Sequence, residues 1–359
     1  MEEALQQLLS PLADTYIENE LEHFTTLFGD LLEQRFAEML ASIQTDVEDQ
    51  YNVMLAAFDH SDKLDDWLQI RDGLIGLEKR GVKLQFIKSG EWLVNNIISK
   101  EIRVVDCRYA LDDAFYGKHA YEAEHIPGAV HFDLGEDLSG PVEAHGGRHP
   151  LPNMDVFQEK LELAGIDQGV TVIAYDNGDG AFASRFWWML RYSGHRSVYV
   201  LDGGFAEWKQ AGFPTTKEIP TYERTTFHMD IQTEMLATYE EVKERSADQQ
   251  AILLDSRARS RYLGLEEPID AKPGHIPSAV NKEWTDGFAN GKWKEKQEQE
   301  KRFNDFKKTD EIIVYCGSGV TATPNIIALL EAGFEHVKLY AGSYSDWVSY
   351  PENKVELGE

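Results

Sequence analysis

Residues 104–109 read VVDCRY, and residues 253–258 repeat this pattern as LLDSRA. Three further blocks recur in the same order: HIPGAV (125–130) as HIPSAV (275–280), VIAYDNG (172–178) as IIVYCGS (312–318), and VLDGGFAEW (200–208) as LYAGSYSDW (339–347). The copies are separated by 139 residues from Trp208 to Trp347 and by 150 residues from His125 to His275. Ordered blocks at a nearly constant offset indicate a duplicated domain.

Short apolar runs alternate with helical patterns around these blocks. IRVVD (102–106), VTVIAYD (170–176) and SVYVLD (197–202) predict strands, and FASRFWWMLRYSGH (182–195) predicts a helix between the last two. Such alternation indicates an α/β fold in which a parallel sheet is flanked by helices in each copy. The predicted organisation is an acidic helical extension, a first domain, a linker and a second domain over residues 1–80, 81–215, 216–237 and 238–359.

Composition and charge exclude several classes of protein. No apolar run approaches the roughly 18 residues of a membrane span, and the acidic start MEEALQQLL differs from a basic signal peptide. The net charge of −28 disfavours nucleic-acid binding. Two cysteines form neither a disulfide framework nor a four-ligand zinc site. We therefore expect a cytoplasmic protein with no metal, no cofactor, no nucleic-acid partner and no membrane partner.

The first 80 residues have a character of their own. They contain 18 acidic and 5 basic side chains, a net charge of −13, whereas the other 279 residues together have −15. Leu5, Leu8, Leu9 and Leu12 begin an apolar series at helical spacing, which predicts two or three amphipathic helices. Two interpretations stay open: a helical hairpin packed on its own chain, or a surface for a homo-oligomer or a protein partner.

Cys316 ends an apolar strand and precedes a glycine-spaced loop, CGSGVTA, so it is either a packed thiol or a nucleophile. The repeat places Asp176 opposite it, and a carboxylate is not the counterpart expected of a core-filling residue. We therefore interpret this position as a loop site that is active in the second copy and silent in the first. Gly317 and Gly319 allow backbone N–H groups to converge there, and a helix predicted over 321–333 directs its N-terminus at the sulfur, a setting that favours the thiolate.

Two reaction classes place a cysteine in such a cradle. Tyrosine-phosphatase-type enzymes have an arginine six residues after the cysteine, but Ala322 occupies that position here. A phosphate ester would therefore lack its bidentate guanidinium clamp. The other class is sulfur transfer, in which the thiolate attacks a sulfane sulfur and becomes a persulfide held by backbone N–H groups.

With GGRHPLP (146–152), DSRARSRYLG (255–264) and EEPIDAKPGHIPSAVN (266–281), the chain resembles the tandem-rhodanese sulfurtransferases over about residues 82–359. The resemblance implies two rhodanese-like domains, the second one catalytic, beside an all-α N-terminal extension. It also implies transfer of sulfur from a small anionic donor, thiosulfate or 3-mercaptopyruvate, through a Cys316 persulfide to a thiol or cyanide. The alternative is a rhodanese-fold sulfur carrier or adaptor that docks a partner through its N-terminal helices.

The resemblance assigns Arg261 to the anionic donor, against the alternative of a surface ion pair. It assigns the persulfide cradle to the loop residues Gly317, Ser318, Gly319, Val320 and Thr321. Mercaptopyruvate enzymes have a second arginine nine residues after the first, where this chain has Asp270, with Lys272 nearby as a substitute. The loop thus favours mercaptopyruvate, and the missing arginine argues against it.

The mercaptopyruvate enzymes have also been assigned a Ser–His–Asp relay. Ser318 matches its serine and His149 its histidine, whereas the acidic position falls on Gly135, which leaves Asp133 or Asp137 to supply the carboxylate. His149 is therefore interpreted either as catalytic support or as a structural or gating residue.

Several other conspicuous residues are predicted to be scaffold. His125 and His275 occur in both copies, including the silent one, and Cys107 aligns with the small residue Ser256 as an inert thiol. Arg257 is expected to support the sheet through Asp255. The mixed-charge run KEKQEQEKRF (294–303) predicts a solvated surface.

Overall fold

The computed structural model describes residues 86–359, so the predicted all-α extension over 1–80 lies outside the described residues. The first half contains a parallel sheet in the order β1-β5-β4-β2-β3. Its strands are β1 (Ile87–Lys88), β2 (Ile102–Asp106), β3 (Ala129–His131), β4 (Thr171–Tyr175) and β5 (Val198–Leu201). Its helices are α1 (Gly90–Asn96), α2 (Tyr116–Ala123), α3 (Met154–Leu163), α4 (Ala181–Tyr192) and α5 (Gly204–Gln210).

The second half repeats this plan with a parallel sheet in the order β11-β10-β6-β7. Its strands are β6 (Ile252–Asp255), β7 (Val280–Asn281), β10 (Ile312–Tyr315) and β11 (Val337–Leu339), and a small antiparallel hairpin adds β8 (Phe288–Ala289) and β9 (Lys292–Trp293). Its helices are α6 (Tyr239–Asp248), α7 (Arg259–Tyr262), α8 (Lys296–Arg302), α9 (Thr323–Glu331) and α10 (Ser343–Trp347). The prediction of two α/β halves with parallel sheets is therefore confirmed.

The segment predicted as a linker takes part in the second sheet at its end. A 3₁₀ turn spans Thr233–Met235, and Leu236 forms a parallel bridge with Leu339. This bridge lies beside β11, as β1 lies beside β5 in the first half, so the two sheets correspond strand for strand.

The mixed-charge run 294–303 forms α8, and the prediction that it is a solvated surface is wrong for one face of this helix. Gln299 and Phe303 are 1% and 0% exposed. The Gln299 amide donates to the backbone oxygen of Gly287 at 2.8 Å, which allows a polar side chain to be buried there.

The two halves share one hydrophobic core. α4 supplies Phe186, Trp187 and Trp188, α9 supplies Ile326 and Leu329, and all five side chains are buried in a single cluster that also includes residues of both sheets. Indole and aliphatic groups of this size lose well over 100 Å² each to solvent exclusion, so this shared cluster holds the halves in a fixed relation. Loops of one half are thereby positioned against loops of the other.

A buried ion pair recurs at the end of β2 in the first half and of β6 in the second. Arg108 donates to both carboxylate oxygens of Asp106, with 2.6 Å from Nη2 to Oδ2, and Arg257 makes the same contacts to Asp255, also with 2.6 Å. All four residues are at most 3% exposed. Because the same buried pair occurs in both halves, it supports the structural interpretation of Arg257.

The histidines that occur in both copies are buried alike. His125 Nδ1 lies 2.6 Å from the backbone oxygen of Tyr121, and His275 Nδ1 lies 2.8 Å from that of Tyr262. Each imidazole also stacks on the ring of the tyrosine it contacts, with centroids 4.1 Å apart for His125 and Tyr121 and 3.8 Å apart for His275 and Tyr262.

Burial raises the pKa of the Cys107 thiol well above its ordinary value, which fits an inert thiol.

Candidate active site

Cys316 follows β10 directly and is 1% exposed. Its Sγ accepts the backbone N–H of Gly319 at 3.2 Å, and its own N–H donates to Oγ of Ser343 at 3.1 Å. Gly319 has φ +76°, and a Cβ there would lie 2.2 Å from the backbone oxygen of Ala341. The loop thus bends back over the sulfur, and this bend requires glycine at position 319.

The equivalent loop of the first half surrounds a carboxyl group. Oδ1 of Asp176 accepts the N–H groups of Gly178 and Gly180 at 3.0 Å each, and Oδ2 accepts those of Phe182 and Ala183 at 3.1 Å each. Burial and the charge of Asp179 raise the pKa of Asp176 to about 7, while the N–H donors act in the opposite direction. The backbone of this loop therefore forms an anion cradle independently of a cysteine.

A buried cation from the first half reaches the cysteine loop. Arg185, on α4, is 0% exposed; its guanidinium donates to the backbone oxygens of Gly319, Leu138 and His149, each at 3.1 Å. Among the described residues no carboxylate lies within ion-pair distance of Arg185, and its Nε has no hydrogen-bond acceptor. Burial lowers the pKa of Arg185 to about 10, and the Cys316 sulfur acts in the opposite direction.

His149 and Ser318 are brought together across the two halves, with 2.8 Å between Nδ1 and Oγ. Burial, followed by the positive charges of Arg185 and Arg148, lowers the pKa of His149 to about 4, so the imidazole is neutral near pH 7. In the described part of the chain no carboxylate completes a relay. Asp133 accepts from Gly135 and Glu136, and Asp137 accepts from Asp133 and pairs with Lys160.

Arg261 lies beside the cysteine loop with two carboxylates. Its Nη2 is 2.7 Å from Oε1 of Glu267 and 2.7 Å from Oδ2 of Asp270. The other oxygen of Asp270 pairs with Arg148 of the first half. Lys272, considered as a substitute for the missing arginine, donates instead to the backbone oxygens of Pro351 and Asn353 at 3.3 Å each.

The first-half loop that contains Arg148 and His149 is held against the second half by backbone contacts. The N–H of Gly146 donates to Asp346 at 2.7 Å, and the N–H of Arg148 donates to Ser345 at 3.2 Å. A Cβ on Gly147 would lie 2.3 Å from the backbone oxygen of Gly342, so the two backbone segments approach more closely here than a side chain allows.

Sequence reasoning missed Arg148 and Arg185. Arg185 lies within the helix predicted over 182–195 without being singled out, and Arg148 appears only as part of GGRHPLP. The repeat offers one signal, since the residue aligned with Arg185 at an offset of 140 is Asn325, whose amide is also buried and donates to Ser256 at 2.9 Å. A polar side chain at the same position of both helices, inside an apolar pattern, is the signal that could have indicated a buried polar contact.

Two general properties of the described residues bear on function. Between residues 86 and 359, no helix is both long and apolar enough to cross a bilayer. Over the same residues, no group of three or more His, Cys, Asp or Glu side chains is arranged to hold a metal ion.

Comparison with known proteins relates the chain to one family. The model of the rhodanese-like domain matches twice, over residues 89–211 and 238–350. A probable 3-mercaptopyruvate sulfurtransferase from Pseudomonas aeruginosa is 39% identical over 277 residues, which cover 76% of this chain and 98% of that protein. The thiosulfate sulfurtransferase of Mus musculus is 33% identical, with 76% of this chain and 95% of that protein covered.

Solved structures give the same picture. The crystal structure of SseA from Escherichia coli, described as a 3-mercaptopyruvate sulfotransferase, superposes with a TM-score of 0.66 at 31% identity. The match covers 73% of this chain and 99% of SseA.

Proposed function

This chain belongs to the tandem-domain rhodanese family of sulfurtransferases, and on that premise we propose that it transfers a sulfane sulfur through a persulfide on Cys316. The donor is thiosulfate or 3-mercaptopyruvate, and the acceptor is cyanide or a thiol. The observation that supports this most directly is the contact of the Cys316 sulfur with the Gly319 N–H, beside the buried guanidinium of Arg185.

The reaction consists of two displacements at sulfur. With thiosulfate, the Cys316 thiolate attacks the sulfane sulfur, the S–S bond of the donor breaks, and sulfite leaves with the electron pair. With 3-mercaptopyruvate the C–S bond breaks instead, and the electron pair stays on the carbon as the enolate of pyruvate, which then takes up a proton. In the second step the acceptor attacks the outer sulfur of the persulfide, and the Cys316 thiolate is regenerated.

The loop is suited to the negative charge of both sulfur species. The residues after Cys316 (Gly317, Ser318, Gly319, Val320 and Thr321) lead into α9, and the N–H of Gly319 donates to the sulfur, so we propose that this loop and the start of α9 hold the charge. The carboxylate of Asp176 supports this interpretation, because it accepts four N–H groups in the loop at the equivalent position of the first half. Arg185 adds a positive charge in a water-excluded position, where its effect on an anion is greatest.

The donor-binding side of the site is proposed to include Arg261. Its guanidinium lies next to Gly317, where a Cβ would be 3.5 Å from Nη1. His149 is assigned a supporting role through Ser318; because it is neutral, it can exchange a hydrogen bond with the hydroxyl without adding charge.

The test is the formation of thiocyanate from cyanide with thiosulfate and with 3-mercaptopyruvate, measured side by side. Cys316→Ser should abolish turnover with both donors, and incubation with donor alone should add the mass of one sulfur atom to the wild-type chain only. Cys107→Ser is the matched control, because it removes the other thiol, and it should retain turnover. Full activity of Cys316→Ser would exclude the mechanism, and the ratio of the two kcat/KM values identifies the better donor.

Residues 1–80 support a second hypothesis, in which the chain is a sulfur carrier or adaptor that docks a partner through this segment. The supporting observation is a net charge of −13 combined with an apolar helical pattern. Removal of residues 1–80 should then alter oligomeric state or sulfur delivery to a protein acceptor, but not turnover with cyanide. Unchanged oligomeric state and unchanged delivery would leave the docking hypothesis without support.

A further inference from the structure

Two guanidinium groups from different halves converge beside the nucleophile. A Cβ at Gly317 would lie 2.9 Å from Nη2 of Arg148 and 3.5 and 3.7 Å from Nη1 and Nη2 of Arg261. Arg148 belongs to the first half and Arg261 to α7 of the second. Gly317 thus lies under both cations, one residue after the cysteine.

Asp270 bridges these two guanidiniums. Its Oδ1 pairs with Nη1 of Arg148, and its Oδ2 is 2.7 Å from Nη2 of Arg261. The carboxylate is 2% exposed, whereas the side chains of Arg148 and Arg261 are 33% and 16% exposed. A buried carboxylate therefore faces two more accessible cations, whose remaining N–H groups are directed toward the cysteine loop.

The charges of this cluster determine what it can accept. Arg148 and Arg261 contribute two positive charges, and Asp270 and Glu267 contribute two negative ones. A carboxylate that stays in place partly cancels the attraction for a further anion, and the Coulombic penalty is twice as large for a dianion as for a monoanion at the same position. The carboxylates thus take away more of the attraction for a doubly charged donor than for a singly charged one.

We propose that Arg148 is a donor-binding residue that forms, together with Arg261, a two-guanidinium subsite for the anionic group of the donor, and that Asp270 biases this subsite toward monoanions. This inference rests on the proposed sulfur transfer and specifies its donor class. 3-Mercaptopyruvate presents one carboxylate, and thiosulfate is a dianion. The family's second arginine is absent at position 270, and a guanidinium from the opposite half takes its place.

The test compares Arg148→Gln and Asp270→Asn by steady-state kinetics with both donors. Arg148→Gln should raise KM about 10-fold or more for each donor with a smaller change in kcat, and Arg148→Lys should recover part of the loss. Asp270→Asn should lower KM, by about 10-fold for thiosulfate and about 3-fold for mercaptopyruvate, because the effect on log KM scales with donor charge. Opposite shifts from two partners of one ion pair cannot result from loosening of the interface alone.

Arg259→Gln provides a matched control. It also removes one positive charge, but from a side chain of α7 that pairs with Glu359. It should leave both KM values within about twofold. Binding of thiosulfate to the Cys316→Ser variant, measured by calorimetry, gives a readout without turnover, and Arg148→Gln in that background should weaken it about 10-fold. Unchanged KM and unchanged thiosulfate binding in Arg148→Gln would overturn the inference, whereas a wild-type protein inactive with both donors would overturn the proposed function instead.

Discussion

Replacement of Asp176 by asparagine tests whether the silent loop is held together by its own carboxylate. In the native loop each carboxylate oxygen accepts two backbone N–H groups, at 3.0 to 3.1 Å. An asparagine retains one oxygen and directs an NH₂ group at the other two N–H donors. Two buried donors thus lose their acceptor, and at about 1–3 kcal/mol for each we expect a loss of about 2–6 kcal/mol in the free energy of unfolding.

Urea denaturation at pH 4.5, followed by tryptophan fluorescence, measures this loss, because Trp187 and Trp188 lie in the core shared by both halves. The pKa of Asp176 is raised from 3.8 to about 7, so at pH 8 the asparagine also removes the cost of ionising a buried carboxyl, and the net loss should be smaller there. Asp179→Asn is the control: it makes the same substitution three residues away, on an exposed side chain that accepts a single N–H at 3.1 Å, from Ala181. It should change stability by about 0.5 kcal/mol or less. Equal midpoints for the two variants, or a large loss of kcat in folded Asp176→Asn, would refute the assignment of a silent, carboxylate-filled cradle.

Three further predictions concern single buried groups. Burial raises the pKa of Glu331 from 4.5 to about 7, so its contribution to stability is complete below pH 4.5 and is lost as the pH rises to about 7. Glu331→Gln should therefore raise the urea midpoint at pH 8 and leave it unchanged at pH 4.5. The pKa of His149 is lowered to about 4, so kcat/KM should show no inflection from this residue between pH 5.5 and 7.5, and a wild-type inflection there that disappears in His149→Asn would contradict it. Arg185→Gln should lower kcat/KM about 10- to 100-fold, and equally for both donors, because its charge acts on the Cys316 sulfur. A loss confined to one donor would show that Arg185 interacts with the donor instead. Arg191→Gln, on the same helix, is the control.

The repeated blocks were sufficient to predict the two sheets, because each block ends a buried strand or begins a loop with fixed geometry. They also singled out Cys316 as a candidate nucleophile, since a carboxylate at the aligned position 176 is not expected of a core-filling residue; this stays a prediction. The strands predicted at 102–106, 170–176 and 197–202 agree with β2, β4 and β5 to within one residue at each end. The spacing of apolar residues, with a period of two in strands and 3.6 in helices, is a local property that can be read from the sequence.

The composite part of the site could not be predicted in this way. Arg148 and Arg185 reach the cysteine loop only because α4 and α9 pack together, and the sequence has no local signal for contacts made across a shared core. The pairing of Asp270 with both Arg148 and Arg261 depends on the same packing. The burial of Gln299 was missed for a related reason, since a charged run conceals the one face of α8 that turns inward.

The contribution of the first half to the cysteine loop has a consequence for how the duplication can be maintained. The first half has Asp176 in place of Cys316, yet it supplies Arg148, His149 and Arg185 to the cysteine loop. The two halves thus resemble the subunits of a heterodimer in which residues of both subunits meet at the interface. A fragment that contains only the second half would lack these three side chains and would expose its part of the shared core. The two halves are therefore structurally interdependent.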